Sequence, residues 1–246
     1  MRTASCSRSW MPDTMIRTRQ HEGSGFQGDG ARIKLPSPGW TQGKPLYQAL
    51  KLRQSIREVS ERVLPLQTLS NLLWAAFGVN RQKGPFGLPG RTAASASNSQ
   101  EIDLYIALRK GAYRYDPEGH ALVLVAPIDL RPLAIGRGQS RSGNRAAARL
   151  IYVADTDRLA NSKGYQEPGL KDPDVQRSYY YVDTGLIAAN VYLFAASTGL
   201  AAWFHNCDKD ALPARLCLRP GQRVLFAQTV GYPQRGNRRQ PAIARR

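Results

Sequence analysis

The hydrophobic positions of the chain change period several times, and each change predicts an element. After Pro65, the apolar residues Leu66, Leu69, Leu72, Leu73, Ala76 and Phe77 recur at helical spacing until Gly78 stops them, which predicts an amphipathic helix. Pro45 opens a shorter helical stretch with Leu46, Ala49, Leu50 and Arg53 on related faces. Ile102 to Leu108 reads as a strand, and Gly111 to Ala126 as a hairpin that turns at Asp116-Pro117-Glu118-Gly119. Leu150 to Ala154 is apolar without interruption up to Asp155, the pattern of a strand covered on both faces. Asp210 to Leu216 suggests a short helix and Val224 to Tyr232 a closing strand.

A long apolar helix is predicted from about Arg177 to Leu200. From Thr184 to Phe204 there is no charged residue, close to the roughly 20 residues needed to span a bilayer. Thr184, Asn190, Ser197, Thr198 and the glycines within it, with Asp183 at its start, favour a helix buried in a protein core or at an oligomer interface. No membrane partner is expected.

The intervening segments lack periodicity. Residues 1–34 are rich in Gly, Ser, Thr and Arg and read as a flexible basic extension. Leu35-Pro36-Ser37-Pro38-Gly39 marks the entry to a folded domain over 35–240, with 241–246 as a basic tail. Asn80 to Gly90 reads as a loop, and so does the polar stretch before Arg177. Arg131 to Arg149 carries five arginines and no acid, and is expected to be a solvated loop. Helices and strands mix without strict βαβ alternation, so the fold class is α+β.

Composition narrows the function classes. The 246 residues are 42% hydrophobic and 22% charged, as in a folded globular protein. The formal charge of +17 suggests an anionic partner. The two ends, 1–34 and 233–246, carry +3 and +5 of it. No aromatic-interleaved basic strand or recognition helix is visible, so no nucleic-acid partner is expected. The three cysteines and three histidines show no metal-ligand spacing, which argues against a zinc site or a disulfide framework. There is no GxxxxGK[ST] phosphate loop and no HExxH motif. The N-terminus has arginines but no apolar run, and the expected location is the cytoplasm.

Four constellations remain as candidate chemistry. Arg53-Gln54-Ser55-Ile56-Arg57 sets two guanidinium forks around a hydroxyl, a set that suits phosphate oxygens, with an exposed basic turn as the plain alternative. Ser95-Ala96-Ser97-Asn98-Ser99-Gln100 precedes a strand and offers amide donors and acceptors to a planar ligand, or is an ordinary polar loop. Gly199 to Cys207 leads from a helix into an aromatic extended segment that can wall a flat pocket. Its His205 and Cys207 taken singly are more often structural. Gly231-Tyr232-Pro233 is followed by Arg235, Arg238 and Arg239, a possible second phosphate contact or a solvated tail.

The order of these pieces resembles the nitroreductase superfamily, in its SagB/ThcOx-like or small bacterial nitroreductase-like branch. The resemblance rests on Arg53/Ser55/Arg57, Leu72-Leu73-Trp74-Ala75-Ala76-Phe77-Gly78, Asn80-Arg81, Arg91-Thr92, Ser95 to Asp103, Asp183 to Leu200 and Gly231-Tyr232-Pro233, and spans about residues 35 to 240. Gln54, Ala94 and Asn206-Cys207 depart from the usual second arginine, proline and small residues. The resemblance implies a three-layer α+β fold, with a mixed or antiparallel sheet between helices and an intertwined homodimer. It further implies FMN as cofactor, NADH or NADPH as electron donor, and a nitroaromatic, quinone or similar small molecule as acceptor in a ping-pong cycle. By position, Arg53, Ser55 and Arg57 would hold the cofactor phosphate, with Arg238 or Arg239 completing the charge. Ser95, Ser97 and Asn98 would contact flavin, some across the dimer. Backbone around His205, Asn206 and Cys207 would approach the ring edge that accepts hydride. No protein side chain is required to act as a catalyst, since the cofactor carries the redox chemistry. A flavin-binding protein without efficient turnover is the alternative.

Overall fold

The computed structural model describes residues 32–39, 43–139, 146–165 and 168–234. In chain order the elements are β1 (Arg32–Lys34), α1 (Leu46–Leu52), α2 (Leu66–Phe77), β2 (Val79–Arg81), β3 (Gly90–Arg91), β4 (Ile102–Leu108), β5 (Gly111–Asp116), β6 (Ala121–Ala126), β7 (Ala148–Asp155), α3 (Thr156–Ala160), α4 (Pro173–Thr198), β8 (Ala201–His205), α5 (Leu212–Arg215) and β9 (Gln222–Gly231). Seven strands form one sheet in the order β1-β6-β5-β4-β7-β9-β8, with every neighbouring pair antiparallel. β2 and β3 pair as a separate ribbon.

Alternation along the strands loads both faces of the sheet. In the β4–β7 register, Leu104 faces Tyr152 and Ile106 faces Leu150, and these side chains join the core with Leu69, Leu72, Leu73 and Phe77 of α2 and Ile187 and Val191 of α4. Tyr105, opposite Ile151, belongs to the other face, where Leu130, Ala134, and Leu212 of α5 cover it. The central strands are therefore apolar at successive positions. Each fully buried leucine of α2 contributes about 1.5–3 kcal/mol by burial.

The long helix α4 begins earlier than its apolar pattern suggests. Asp172 caps it by accepting the Asp174 N–H at 2.8 Å, and Pro173 occupies the first turn. It ends at Gly199, whose φ of 75° is the left-handed conformation that glycine adopts without penalty. One face is buried, whereas Tyr181, Val182 and Leu186 are exposed; Leu46, Tyr47 and Leu50 of the neighbouring α1 are exposed too. No helix among the described residues is long and apolar enough to cross a membrane.

Four local expectations change. Arg32–Lys34 falls in the expected extension but pairs with Ala121–Val123 as an edge strand. The expected 80–90 loop includes parts of the β2–β3 ribbon, whose pairing was hidden by its glycines and prolines. The polar segment after Asp155 contains α3, capped by the Asp155 side chain on Arg158 N–H at 3.1 Å. Most consequentially, Arg149 is wholly buried in β7 rather than solvated. Its Nη1 donates to the Arg131 carbonyl and its Nε to Thr229 Oγ1 at 3.3 Å. Arg131 in turn forks onto Asp129 at 2.7–3.2 Å.

Candidate flavin site

α1 ends at Arg53, and the chain continues as a strap along the open edge of β8. Ile56 N–H donates to the Ala202 carbonyl at 2.9 Å. Val59 bridges Pro233, Ser60 N–H donates to the Tyr232 carbonyl at 2.8 Å, and Gln234 N–H to the Glu58 carbonyl at 3.0 Å. The strap is thus stitched to both β8 and the end of β9, while Arg53, Ser55 and Arg57 stay exposed at alternate positions. The Arg53 guanidinium lies 5.5 Å from the Tyr192 ring and that of Arg57 lies 5.7 Å from the Trp203 ring, contacts worth about 0.5–1 kcal/mol at exposed sites. Neither arginine makes an ion pair among the described residues. Ser55 Oγ and Tyr192 Oη are hydrogen-bonded at 2.9 Å, and Tyr192 Oη also accepts the Phe204 N–H at 2.7 Å. Beneath Arg57, the buried Trp203 Nε1–H has no acceptor among the described residues.

The segment from Ser95 to Gln100 is built differently. Ser97, Asn98 and Gln100 adopt φ of 50°, 52° and 53°, a left-handed region costing about 1–2 kcal/mol per non-glycine residue. A dense set of bonds holds it there. Ala96 N–H donates to Asp183 Oδ2 at 2.8 Å, Gln100 N–H to Ser95 Oγ at 3.0 Å, and Ser97 O–H to the Gly164 carbonyl at 3.1 Å. A Cβ on Gly164 would lie 2.6 Å from that of Ser97, so only glycine permits this approach. Asn98 Nδ2 donates to the Pro85 carbonyl at 3.1 Å, and its Oδ1 accepts Gln100 Nε2 at 3.0 Å. Behind the segment lie two buried carboxyls, Glu101 and Asp183. Burial first, and then the Asp183 charge, push Glu101 up to about 8; burial also raises Asp183. Ser99 O–H donates to Glu101 Oε2 at 2.6 Å.

At the end of β8, His205 is buried against Thr229 of β9. Its Nδ1 is 2.8 Å from the Asn206 carbonyl, which can only accept, so Nδ1 carries the proton. Nε2 therefore accepts from Thr229 O–H at 2.8 Å, and Thr229 Oγ1 accepts from Arg149. Burial lowers His205 to about 4 and Arg149 to about 10. The imidazole is neutral and fixes the Asn206 peptide. Asn206 is exposed and its Oδ1 accepts the Cys207 N–H at 3.0 Å. The Cys207 thiol faces the second core and is raised by burial to about 12, which makes it unreactive.

Comparison with known proteins gives this geometry a context. The model of the nitroreductase family matches residues 50–232. The chain belongs to the nitroreductase family. It is 29% identical over 180 residues to the nitroreductase-type protein MJ1384 of Methanocaldococcus jannaschii, covering 70% of this chain and 82% of that one. The crystal structure of a nitroreductase-type protein from Ralstonia eutropha JMP134 superposes with a TM-score of 0.73 at 36% identity, over 85% of this chain and 92% of the other. The NADPH:FMN oxidoreductase of Vibrio harveyi, crystallised with NAD+, shares the fold with a TM-score of 0.52 at 18% identity, over 77% of this chain and 69% of its own. As a nitroreductase the protein is an enzyme, a flavin-dependent oxidoreductase.

Within this nitroreductase, the strap and β8 meet through Tyr192, so Arg53, Ser55 and Arg57 are joined to the strand that ends at His205 and leads into Asn206 and Cys207. The segment holding Ser95, Ser97 and Asn98 attaches through the Ala96 N–H to Asp183, which precedes Tyr192 by nine residues on α4, a separation of about 13 Å along the helix. One chain therefore does not bring the two groups into contact through α4. Arg238 and Arg239 lie outside the described residues. Tyr192, Asp183, Thr229 and Arg149 were absent from the sequence reading as site residues. Only Asp183 had a signal, as the last charge before the uncharged stretch.

Proposed function

We propose that this nitroreductase is an FMN-dependent NAD(P)H oxidoreductase that works as a homodimer and passes electrons in a ping-pong cycle to a nitroaromatic, quinone or similar acceptor. The observation that carries the reading is the strap: two exposed guanidinium groups, without ion-pair partners among the described residues, flank a hydroxyl, and one of them lies over an indole whose N–H has no acceptor among those residues. This donor set fits an anionic cofactor bearing further acceptors. Arg53 and Arg57 would fork onto phosphate oxygens, as guanidinium does best. Tyr192 would donate to Ser55, leaving the serine proton for the phosphate. When bound, FMN supplies hydride acceptance from the nicotinamide and onward transfer of electrons.

The rest of the chain positions and orients. The Asn206 peptide, fixed by neutral His205, would meet the ring edge where hydride arrives. Ser95 retains a hydroxyl proton to offer to flavin, because its Oγ is used only as an acceptor. Ser97 and Asn98 are committed to Gly164, Pro85 and Gln100, so they would contribute backbone and shape. Val182 and Leu186 of α4, with Leu46, Tyr47 and Leu50 of α1, supply an exposed apolar surface for a second copy, which would deliver its own Ser95 segment. Arg238 or Arg239 would complete the phosphate charge.

The test is the visible absorption spectrum of the purified protein, followed by anaerobic addition of NADPH and then NADH. A bound flavin that bleaches identifies the oxidoreductase and its donor. A flavin that stays yellow supports a binder without turnover, and a colourless protein that refuses added FMN sinks the assignment.

A further inference from the structure

β8 is shorter than β9. Its last residue, His205, pairs with Ala227, so the β9 edge from Gln222 to Phe226 runs on past it. The chain turns away there through Asn206–Lys209 and leaves an open cavity of about 450 Å³, bounded by this edge, the first half of α4 and the start of α5. Tyr180, Tyr181 and Leu225 form an apolar side. Arg177, Lys209 and Arg223 surround it, and no carboxylate among the described residues lines it. Arg177 holds Asp174 only through an exposed contact of 3.4 Å, a kind of pair worth about 0.5 kcal/mol. Lys209 Nζ rests 4.8 Å from the Phe226 ring, and Arg223 makes no ion pair among the described residues.

The cavity also connects to the proposed redox site. The Tyr181 ring packs in a tilted contact 5.7 Å from Phe226, and Phe226 likewise 4.8 Å from Phe204 of β8. Lys209 follows Cys207 by two residues, so this cation stands beside the turn assigned to the flavin ring edge. An aromatic wall beside three cations, of which only Arg177 has a carboxylate partner among the described residues, favours a flat ring that carries negative charge, through stacking and Coulomb attraction together.

The geometry points to a subsite that selects anionic aromatic electron acceptors: the ring seats on Tyr181, and its carboxylate or comparable group sits among Lys209, Arg223 and Arg177. The word acceptor rests on the flavin-oxidoreductase reading, whereas binding of the anion does not. The test therefore measures binding by equilibrium dialysis on the flavin-loaded protein, with 4-nitrobenzoate and nitrobenzene as probes. The expected result is tighter binding of 4-nitrobenzoate, with the affinity ratio falling about threefold to tenfold in K209M/R223Q and falling again between 0.05 and 0.5 M salt on the order expected for exposed charges. Lys209→Arg should keep the ratio. A ratio near one in the parent protein, or one unchanged in K209M/R223Q, overturns the subsite. Displacement of 4-nitrobenzoate by adenosine 2′,5′-bisphosphate, lost in K209M/R223Q, would assign the cations to the dinucleotide donor and overturn the acceptor assignment. Failure of NADPH and NADH to bleach the flavin speaks against the oxidoreductase reading alone.

Discussion

Two places nine residues apart on α4, Tyr192 and Asp183, serve the same proposed ligand in opposite ways. At Tyr192 the strap and β8 hold donors that the described residues leave unused: two guanidinium groups of the strap without ion pairs and the Trp203 indole N–H without an acceptor. At Asp183 the Ser95–Gln100 segment is saturated with internal bonds, bent through left-handed residues, and backed by two buried carboxyls. A binding surface must keep hydrogen-bonding capacity for what arrives, whereas a scaffold must spend it to hold a strained shape. The strap is therefore cheap to mutate for folding and costly for binding, and the segment is the reverse.

The largest effect should come from the saturated end. Glu101 keeps its proton up to about pH 8 in the folded chain against an ordinary value of 4.5. Its contribution is fully present below about 4.5 and is lost as pH rises toward 8, by about 3–5 kcal/mol in all. Glu101→Gln, which imitates the protonated side chain, should flatten this slope and stabilise the protein at pH 8. Urea unfolding of the flavin-free protein from pH 5 to 9 checks it, and parallel slopes for the two proteins would refute the shared burial of these carboxyls.

At the open end, R53A/R57A should weaken FMN binding by about a hundredfold or more, from two charge-assisted contacts at about 1.5–3 kcal/mol each. The melting stability of the flavin-free protein should change by less than about 1 kcal/mol. Equal losses in both quantities would show that the strap is structural. Tyr192→Phe lies between the two regimes. It strands the Phe204 N–H and releases Ser55, so it should cost about 1–2 kcal/mol of stability and raise the FMN dissociation constant about threefold to tenfold. The smallest contrast is between the serines. Ser95→Ala removes the acceptor of Gln100 N–H and should cost about 1 kcal/mol of stability, while Ser55→Ala should cost less than about 0.5 kcal/mol and appear mainly in FMN affinity.

Legibility in the sequence followed the range of the interactions. The helix Leu66–Phe77, the strand Ile102–Leu108 and the hairpin turning at Asp116–Gly119 were readable because their periods and turn residues are local. The burial of Arg149 was not. Seen along the chain it joins a run of arginines; in the fold its acceptors come from Arg131 and Thr229, remote in sequence. The same holds for the Ser95 segment, whose polar composition suggested contacts with ligand, although Ser97 and Asn98 spend theirs on Gly164, Pro85 and Gln100.

The sequence by itself determined the α+β class, the identity of most elements and, through the order of Arg53/Ser55/Arg57, the Ser95 segment and Gly231-Tyr232-Pro233, the family. These are properties of spacing within a segment and of segment order. The tertiary structure alone decided which donors remain available. Only packing leaves Trp203 Nε1 without an acceptor among the described residues, sets Asp183 against Ala96 and Glu101, and leaves the β9 edge open beside Lys209. Hydrogen-bond satisfaction and charge compensation depend on neighbours brought together from distant parts of the chain, and local periodicity carries no record of them.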